Sequence, residues 1–408
     1  MMTRASIRYE WAAPCLFLFV LPITHTTPLR LVCLGIAILT TLASMRRRLP
    51  AALPRTALIA ALAFWILVCL VSSAASIEPE YSWGEFRNEV IVPMIAFGVF
   101  FLLTDDEQVW RVWCRTLLAS FAVVALIAIG SYLRDGNWLR SSFVGDRNAY
   151  STYVVLIFPL FLFLWLRVGN HARYRTALIA LALLALVSSA FTQNRNMWFA
   201  VASECVVFAA LCWFRAPAHA RRRLAIRFAV AGGLGAIAFA GILAYVVHEK
   251  AILSNANVES QARIDQDPRW EIWAYAAERI RERPATGFGY GRGILRQDFR
   301  THFENPLKWH AHNMVVNYVI EAGVAGGIAI IGLFFALYLQ SWAVYRRGDD
   351  EMWPFGAWAL AMLIGITIKT ATDDILVREN SILFWSLAGI IFGLCLRRQR
   401  ERARFEPG

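Results

Sequence analysis

Charge is scarce in this chain, and cysteines are never grouped. Asp, Glu, Lys and Arg make up 17% of the 408 residues against 58% hydrophobic residues, and the mean hydropathy is +0.49, which excludes an ordinary soluble domain of this size. Cys15, Cys33, Cys69, Cys114, Cys205, Cys212 and Cys395 form no C-x-x-C pair, and none lies in the long polar stretch near residues 248–309. A disulfide framework and a thiolate metal site are both excluded on that ground. The chain also lacks internal repeats and low-complexity linkers, which disfavours transporter folds assembled from inverted repeats. Its glycine run, Gly287-Phe288-Gly289-Tyr290-Gly291-Arg292-Gly293, is followed by no Lys-Ser/Thr and follows a helical pattern rather than a strand, so a phosphate-cradling nucleotide loop is ruled out. The net charge of +12 is spread over several short loops instead of one patch with interleaved aromatics, which argues against a nucleic-acid partner.

What the chain does have is apolar length. Runs of the roughly 17–25 residues that span a bilayer occur near 8–24, 29–45, 56–76, 88–104, 113–133, 149–167, 177–192, 197–214, 227–247, 325–345, 353–374 and 379–396. The expected fold is therefore all-α and polytopic, with about twelve transmembrane helices. The first run has no A-x-A-like cleavage site and leads straight into the second, so it reads as a retained helix. Arg46-Arg47-Arg48, Arg167, Arg173, Arg175, Arg215, Arg221-Arg222-Arg223, Arg346-Arg347 and the arginines from Arg397 to Arg404 fall on one side by parity, with Arg4 and Arg8. The positive-inside rule makes that side cytoplasmic. Three parts follow: transmembrane helices 1–9 over 1–247, a periplasmic helical lobe over 248–310, and a motif helix, the last three spans and a basic tail over 311–408. In the lobe, Asp267-Pro268 reads as a cap and first position of a helix running to about Glu282, with Trp270 and Trp273 on an apolar side that rests against the membrane interface. A further helix is expected over Ala251 to Gln261.

Chemistry is expected where the charged loop meets the membrane. After Trp309-His310-Ala311-His312, a helix puts Asn313, Asn317 and Glu321 at i, i+4 and i+8, one polar stripe on an apolar rod. Such stripes face protein or a wet cavity. Gly323, Gly326 and Gly327 then allow close helix contact or a break. The bland alternative is a packing helix with an interfacial histidine. Three outward arginines stand out by position: Arg195 in the short turn before 197–214, Arg269 at the start of the lobe helix, and Arg147 on the loop before 149–167. Each alone fits a lipid headgroup or a local ion pair, but together on the His312 side they suggest a phosphate-bearing ligand. His302, His310 and His312 lack a Cys, Asp or Glu at a familiar ligand spacing, so no metal site is expected. Asp373-Asp374 reads as a salt-bridge cluster with Lys369 and Arg378 before it reads as a proton-transfer pair.

His312-Asn313, nine residues, then Gly323-x-x-Gly326-Gly327 resembles the signature of bacterial O-antigen ligases. The outer Arg195, the lobe's Arg269 and the Pro-x-x-Gly-x-Gly stretch at Pro284, Gly287 and Gly289 are similar as well. O-antigen polymerases share parts of the pattern. The resemblance implies a cofactor-free, metal-independent inverting glycosyl transfer at the periplasmic face of the bacterial inner membrane. Its donor would be an undecaprenyl-diphosphate-linked glycan and its acceptor the lipid A core. His312 would be the general base, Arg195 and Arg269 would take the diphosphate with Arg147 nearby, and Asn313, Asn317 and Glu321 would orient the histidine or bind sugar. A polymerase, and from another class an anion transporter, are the alternatives; transport would favour ionisable groups at the midplane of several spans, whereas here they gather towards one face.

Overall fold

The computed structural model describes residues 11–47, 57–104, 107–135, 145–168, 171–192, 194–219, isolated residues between 221 and 244, 269–306, 308–374 and 376–405. Among these the chain is all-helical, without a strand. In order the helices are α1 (Ala12–Val20), α2 (Thr27–Arg47), α3 (Ala57–Ala74), α4 (Pro79–Leu103), α5 (Glu107–Asp135), α6 (Arg147–Arg167) and α7 (Ala172–Ala190). They continue with α8 (Arg195–Arg215), α9 (Arg269–Glu282), α10 (Arg296–Phe303), α11 (Met314–Arg347), α12 (Trp353–Ala371) and α13 (Arg378–Phe405). Nine of the described helices are long and apolar enough to cross a membrane: α3 to α8 and α11 to α13. The chain is a multi-pass membrane protein. The expected first span is helical over Ala12–Val20, and α2 carries a shorter apolar stretch, Thr27–Ala43. The expected ninth span, over 227–247, lies mostly outside the described residues, as do Asp267-Pro268 and the helix expected over Ala251 to Gln261.

The described spans alternate in direction along the chain except that α8 and α11 run the same way, and charge sorts to the two ends. One end gathers arginines and a few acids. Arg167 and Arg398 both reach Glu107, at 3.0 and 3.7 Å, Arg398 also pairs with Glu351, and Arg215 caps carbonyls of Tyr345, Arg346 and Gly348 at the end of α11. The opposite end holds the starts of α6, α8, α11 and α13 and the end of α12. Helices α6, α12 and α13 are the most enclosed. α12 packs against α6, α8 and α11, and α13 packs along the second half of α4. Around α12 the ring of Phe163 stacks on Trp358 with centroids 4.9 Å apart, and Phe355 meets Trp110 edge-on at 5.4 Å. Helix α11 shows how sequence period becomes lipid contact. Val324, Ile328, Ile331, Phe335, Leu339 and Trp342 follow one another at steps of three or four and are exposed, while Ala329, Ile330, Leu333, Phe334 and Leu337 on the other side are buried.

α11 is not a single rod. Ala322 (φ −127°, ψ 20°) and Gly323 (φ 66°, ψ −165°) leave helical geometry and divide it into a short outer piece, from Met314 to Glu321, and the long span after Gly323. The segment after α9 fills the break. Phe288 N–H donates to Ile320 O and Gly289 N–H to Glu321 O, both at 2.9 Å, and Val324 N–H donates to Pro284 O at 2.8 Å. Ser72 Oγ of α3 adds a 2.8 Å bond to Glu321 O. The glycines of the Pro284 stretch are thus packing devices: a Cβ on Gly289, at φ 125°, would lie 2.0 Å from Ser76 Oγ.

The lobe has its own small core. Ile272, Ala276, Phe288, Ile294, Leu295, Phe299, Ala311 and Ile320 bury one another, joining α9, α10 and the outer piece of α11. The Nε1–H of Trp273 donates to Ala311 O at 2.8 Å, and it holds α9 onto the His310–His312 turn. Trp270 is exposed and meets Trp273 edge-on at 5.2 Å. α10, absent from the sequence reading, lies in the polar stretch where apolar periodicity is weak.

Gly289→Ala is expected to destabilise the protein by about 2 kcal/mol or more, since both the positive φ and the Ser76 contact oppose a Cβ. Gly332→Ala, where nothing lies within 4 Å of the added Cβ, is the control and should be neutral or slightly stabilising. Thermal unfolding of purified protein in detergent compares them; equal midpoints for the two variants would contradict the packing account.

Candidate active site

The site is built on the turn that enters α11. Asn313 caps the helix, its Oδ1 accepting from Val316 N–H at 3.0 Å. Its Nδ2 donates to Ala371 O at 2.8 Å, which ties the start of α11 to the end of α12. One turn on, Asn317 is buried with both ends of its amide engaged: Oδ1 accepts from Ala311 N–H at 3.0 Å and Nδ2 donates to Asp374 Oδ2 at 2.6 Å. Between these two anchors His312 sits at φ 49°, a left-handed conformation rare for a side-chain-bearing residue and common at functional sites.

His312 Nδ1 faces Asp373 Oδ1 at 3.4 Å, the long end of hydrogen bonding. Burial alone raises the Asp373 carboxyl, but the His312 hydrogen bond and then the Lys369 charge outweigh it and hold it at about 2. An ionised carboxylate only accepts, so a neutral His312 carries its proton on Nδ1 and leaves Nε2 with a free lone pair. His310 lies beneath, its ring centroid 3.9 Å from that of His312, and its Nδ1 accepts the His312 backbone N–H at 3.1 Å. Burial pushes His310 well below the usual histidine range, helped by His312 and Arg292, which keeps that Nδ1 an acceptor. Trp309 meets His310 edge-on and is itself covered by Arg292 and Arg296, 5.0 and 4.3 Å from its ring.

The salt-bridge cluster expected around Asp373 and Asp374 is corrected. Arg378 turns away to Glu85 at 3.1 Å, and its backbone N–H donates to Glu89 at 2.7 Å. Asp374 instead takes Asn317, and its backbone carbonyl accepts from Arg292. Burial raises the Asp374 carboxyl despite the nearby Arg292 guanidinium. Lys369 is fully buried one turn before the end of α12, with no hydrogen-bond partner on Nζ among the described residues and the charges of Asp373, Asp146 and Arg269 as its electrostatic surroundings. The position of Glu321 differs from that of its stripe-mates. It lines a cavity of about 40 Å³ together with Glu85, Glu89, Arg292 and Asp374.

All three arginines singled out in the sequence lie at this end, and each opens a described helix: Arg147 α6, Arg195 α8 and Arg269 α9. Helix starts already favour anions. Asp146 caps α6 through the N–H groups of Asn148 and Ala149 at 2.8 and 2.7 Å, and Asn194 caps α8. Asn194 Nδ2 donates to Asn148 Oδ1 at 2.9 Å, joining the two starts. Asn196 then donates to Lys369 O at 2.9 Å and to Thr372, docking α8 on the end of α12 next to Asp373. Arg147 and Arg195 are exposed and Arg269 is half-buried. Of the predicted residues, His312, Asn313, Arg147, Arg195 and Arg269 therefore gather on one outer surface, while Asn317 and Glu321 lie inside the protein.

One nitrogen of His310, one nitrogen of His312 and one oxygen of Asp373 lie within 4.8 Å of one another and could hold a metal ion. The acidic member that the local sequence lacks comes from 61 residues away. His302, grouped with these histidines in the sequence reading, instead stacks on Tyr275 at 3.8 Å. Asp373, Lys369 and Arg292 are the residues whose place here was not read from sequence; the signals were a paired carboxylate at the end of a span, a lysine in an apolar helix, and an arginine within a glycine run.

The family model described as O-antigen ligase matches residues 180–331. The resemblance carried by Arg195, Arg269, Pro284 to Gly289 and His312 to Gly327 thus holds over that segment. No curated protein matches the chain.

Because Asp373 is held below its ordinary 3.8, its ionisation stabilises the fold above that pH, and the contribution is lost as pH falls towards about 2. Asp373→Asn is expected to cost on the order of 2 kcal/mol at pH 7. The gap from wild type should narrow below about pH 4 in thermal unfolding of nanodisc-embedded protein. A gap that is constant between pH 7 and pH 3 would contradict an Asp373 held ionised beside His312.

Proposed function

We propose that this chain is an O-antigen ligase, transferring O-antigen polysaccharide from undecaprenyl diphosphate to the lipid A core with inversion and without a metal, in the bacterial inner membrane with its site facing the periplasm. The observation that carries the reading is His312, with Nδ1 turned to an ionised Asp373 and Nε2 free, on the same outer surface as Arg269, Arg195 and Arg147. The family match over 180–331 supports it. So does the sorting of charge to two ends, which leaves the arginine-rich end to the cytoplasm under the positive-inside rule.

In the reaction the acceptor hydroxyl oxygen attacks the anomeric carbon of the donor as the bond from that carbon to the diphosphate oxygen breaks. His312 Nε2 takes the hydroxyl proton, and Asp373 stabilises the imidazolium that results. The diphosphate leaves with the bonding pair. A diphosphate needs charge stabilisation more than a proton, and guanidinium groups at helix starts supply it through paired N–H contacts. Asn313 and Asn317 act as positioning residues, since their amides fix the His312 turn to α12 and Asp374. Glu321 acts from further below, within the packing of the α11 break.

The test is transfer in vitro with purified protein, a lipid-linked glycan donor, and either lipid A core or a second lipid-linked glycan as acceptor. Product on the core supports the ligase, and product on the second glycan alone would replace it with the polymerase reading. His312→Ala should retain membrane insertion and donor binding while turnover falls by roughly 10²–10⁴-fold. Near-normal transfer by the well-folded variant would remove His312 from the mechanism. Arg269→Lys should lose about tenfold or more, because an ammonium cannot reproduce the two-pronged contact to phosphate; equal turnover would remove that role.

A further inference from the structure

The three groups that make the base pair also make a ligand set. His310 contributes an imidazole that is 4% exposed, His312 one whose side chain is 25% exposed, and Asp373 a carboxylate that the protein keeps ionised. Ions of the zinc class prefer two nitrogen ligands and an oxygen at about 2.0–2.2 Å, which places neighbouring ligand atoms about 3.4 Å apart. His312 Nδ1 and Asp373 Oδ1 already stand at 3.4 Å, and the whole set lies within 4.8 Å. The half-exposed side of His312 leaves a fourth position open to water. Calcium and magnesium, which demand several oxygen ligands, do not fit two imidazoles. Arg292 and Arg296, beside Trp309, oppose a dication and set the affinity below that of a structural zinc site.

We propose that His310, His312 and Asp373 form an inhibitory capture site for a borderline divalent transition-metal ion, zinc foremost. The inhibitory part rests on His312 being the base. Whichever nitrogen of His312 binds, the base is lost. On Nε2 the ion takes the lone pair itself; on Nδ1 it displaces the ring proton, which moves to Nε2 and fills the position that accepts from the acceptor hydroxyl. Asp373 is withdrawn from the ring at the same time. The site is thus off when metallated and active when chelated, the reverse of a metal-dependent transferase.

The experiment has two readouts on full-length protein in nanodiscs. Equilibrium dialysis against zinc, followed by metal analysis, should find one equivalent more in wild type than in His310→Gln or in Asp373→Asn, two variants that keep polar side chains of similar size. That difference is expected whether or not the protein transfers glycan, so it separates failure of the metal site from failure of the proposed reaction. In the transfer assay zinc should inhibit wild type at least tenfold, a chelator should restore the rate, and His310→Gln should be markedly less inhibited relative to its own metal-free rate. Equal zinc in wild type and both variants would overturn the site. A bound equivalent that leaves wild-type transfer unchanged, or raises it, would overturn inhibition at His312.

Discussion

The break in α11 is the constraint on which the rest depends. Inside a membrane protein a carbonyl released from a helix needs another donor, because leaving it bare costs several kcal/mol. At Ala322 and Gly323 the helix ladder fails, and the carbonyls of Ile320 and Glu321 are taken by the N–H groups of Phe288 and Gly289, with Ser72 adding a hydroxyl. Satisfying the backbone therefore docks the lobe. Because α9 leads into the docked stretch, and Trp273 bonds Ala311, the same constraint places Arg269 and the His310–His312 turn on one rigid unit. A glycine signature that resembles a ligand-binding motif turns out to be the seam between lobe and membrane helices.

The second anchor is the end of α12, the helix enclosed by α6, α8 and α11. Asn313 holds Ala371, Asn196 holds Lys369 and Thr372, and Asn317 holds Asp374, so three asparagines from two helices converge on six residues of chain. Amides suit this work: each donates and accepts, so one side chain spans two elements without bringing net charge into an apolar setting. On this stretch of chain net charge enters as Lys369 and the aspartates, at the end of a span, where the cost of burial is lowest. The histidine is held by neutral hydrogen bonds and tuned by charged ones.

Much of this is legible in the sequence, for identifiable reasons. Apolar length marks the spans, and arginine position marks the ends, because hydrocarbon thickness and desolvation act on every residue alike. The helix over Arg269–Glu282 shows its stop at Pro284, and the stripe Asn313, Asn317, Glu321 is read from period alone. Asp373 is different. Its role is set by His312 across 61 residues, and nothing in the local pattern of Asp373-Asp374 separates a histidine partner from the nearer Lys369 and Arg378. The Trp273 bond to Ala311 is likewise invisible locally, because its partner lies 38 residues on. Glu321 keeps the predicted period and, as expected for such a stripe, is buried and lines a cavity.

On physical grounds the arrangement suits the proposed glycan transfer better than anion transport. A carrier moves its ion past the midplane and needs charged or unwound backbone there on both sides of a gate. In this protein the unwound backbone at Gly323 is filled by residues of its own lobe, with Pro284 and Ala285 in contact where a Cβ would stand, so it lines no path. The arginines stand at helix starts on the outer surface, beside a histidine whose free nitrogen faces away from its carboxylate. In the proposed reaction these arginines would meet the charge that develops on phosphate as His312 takes a proton from a hydroxyl. They serve translocation poorly, because a proton acceptor contributes nothing to passage of an anion and a fixed outer cluster only holds it back.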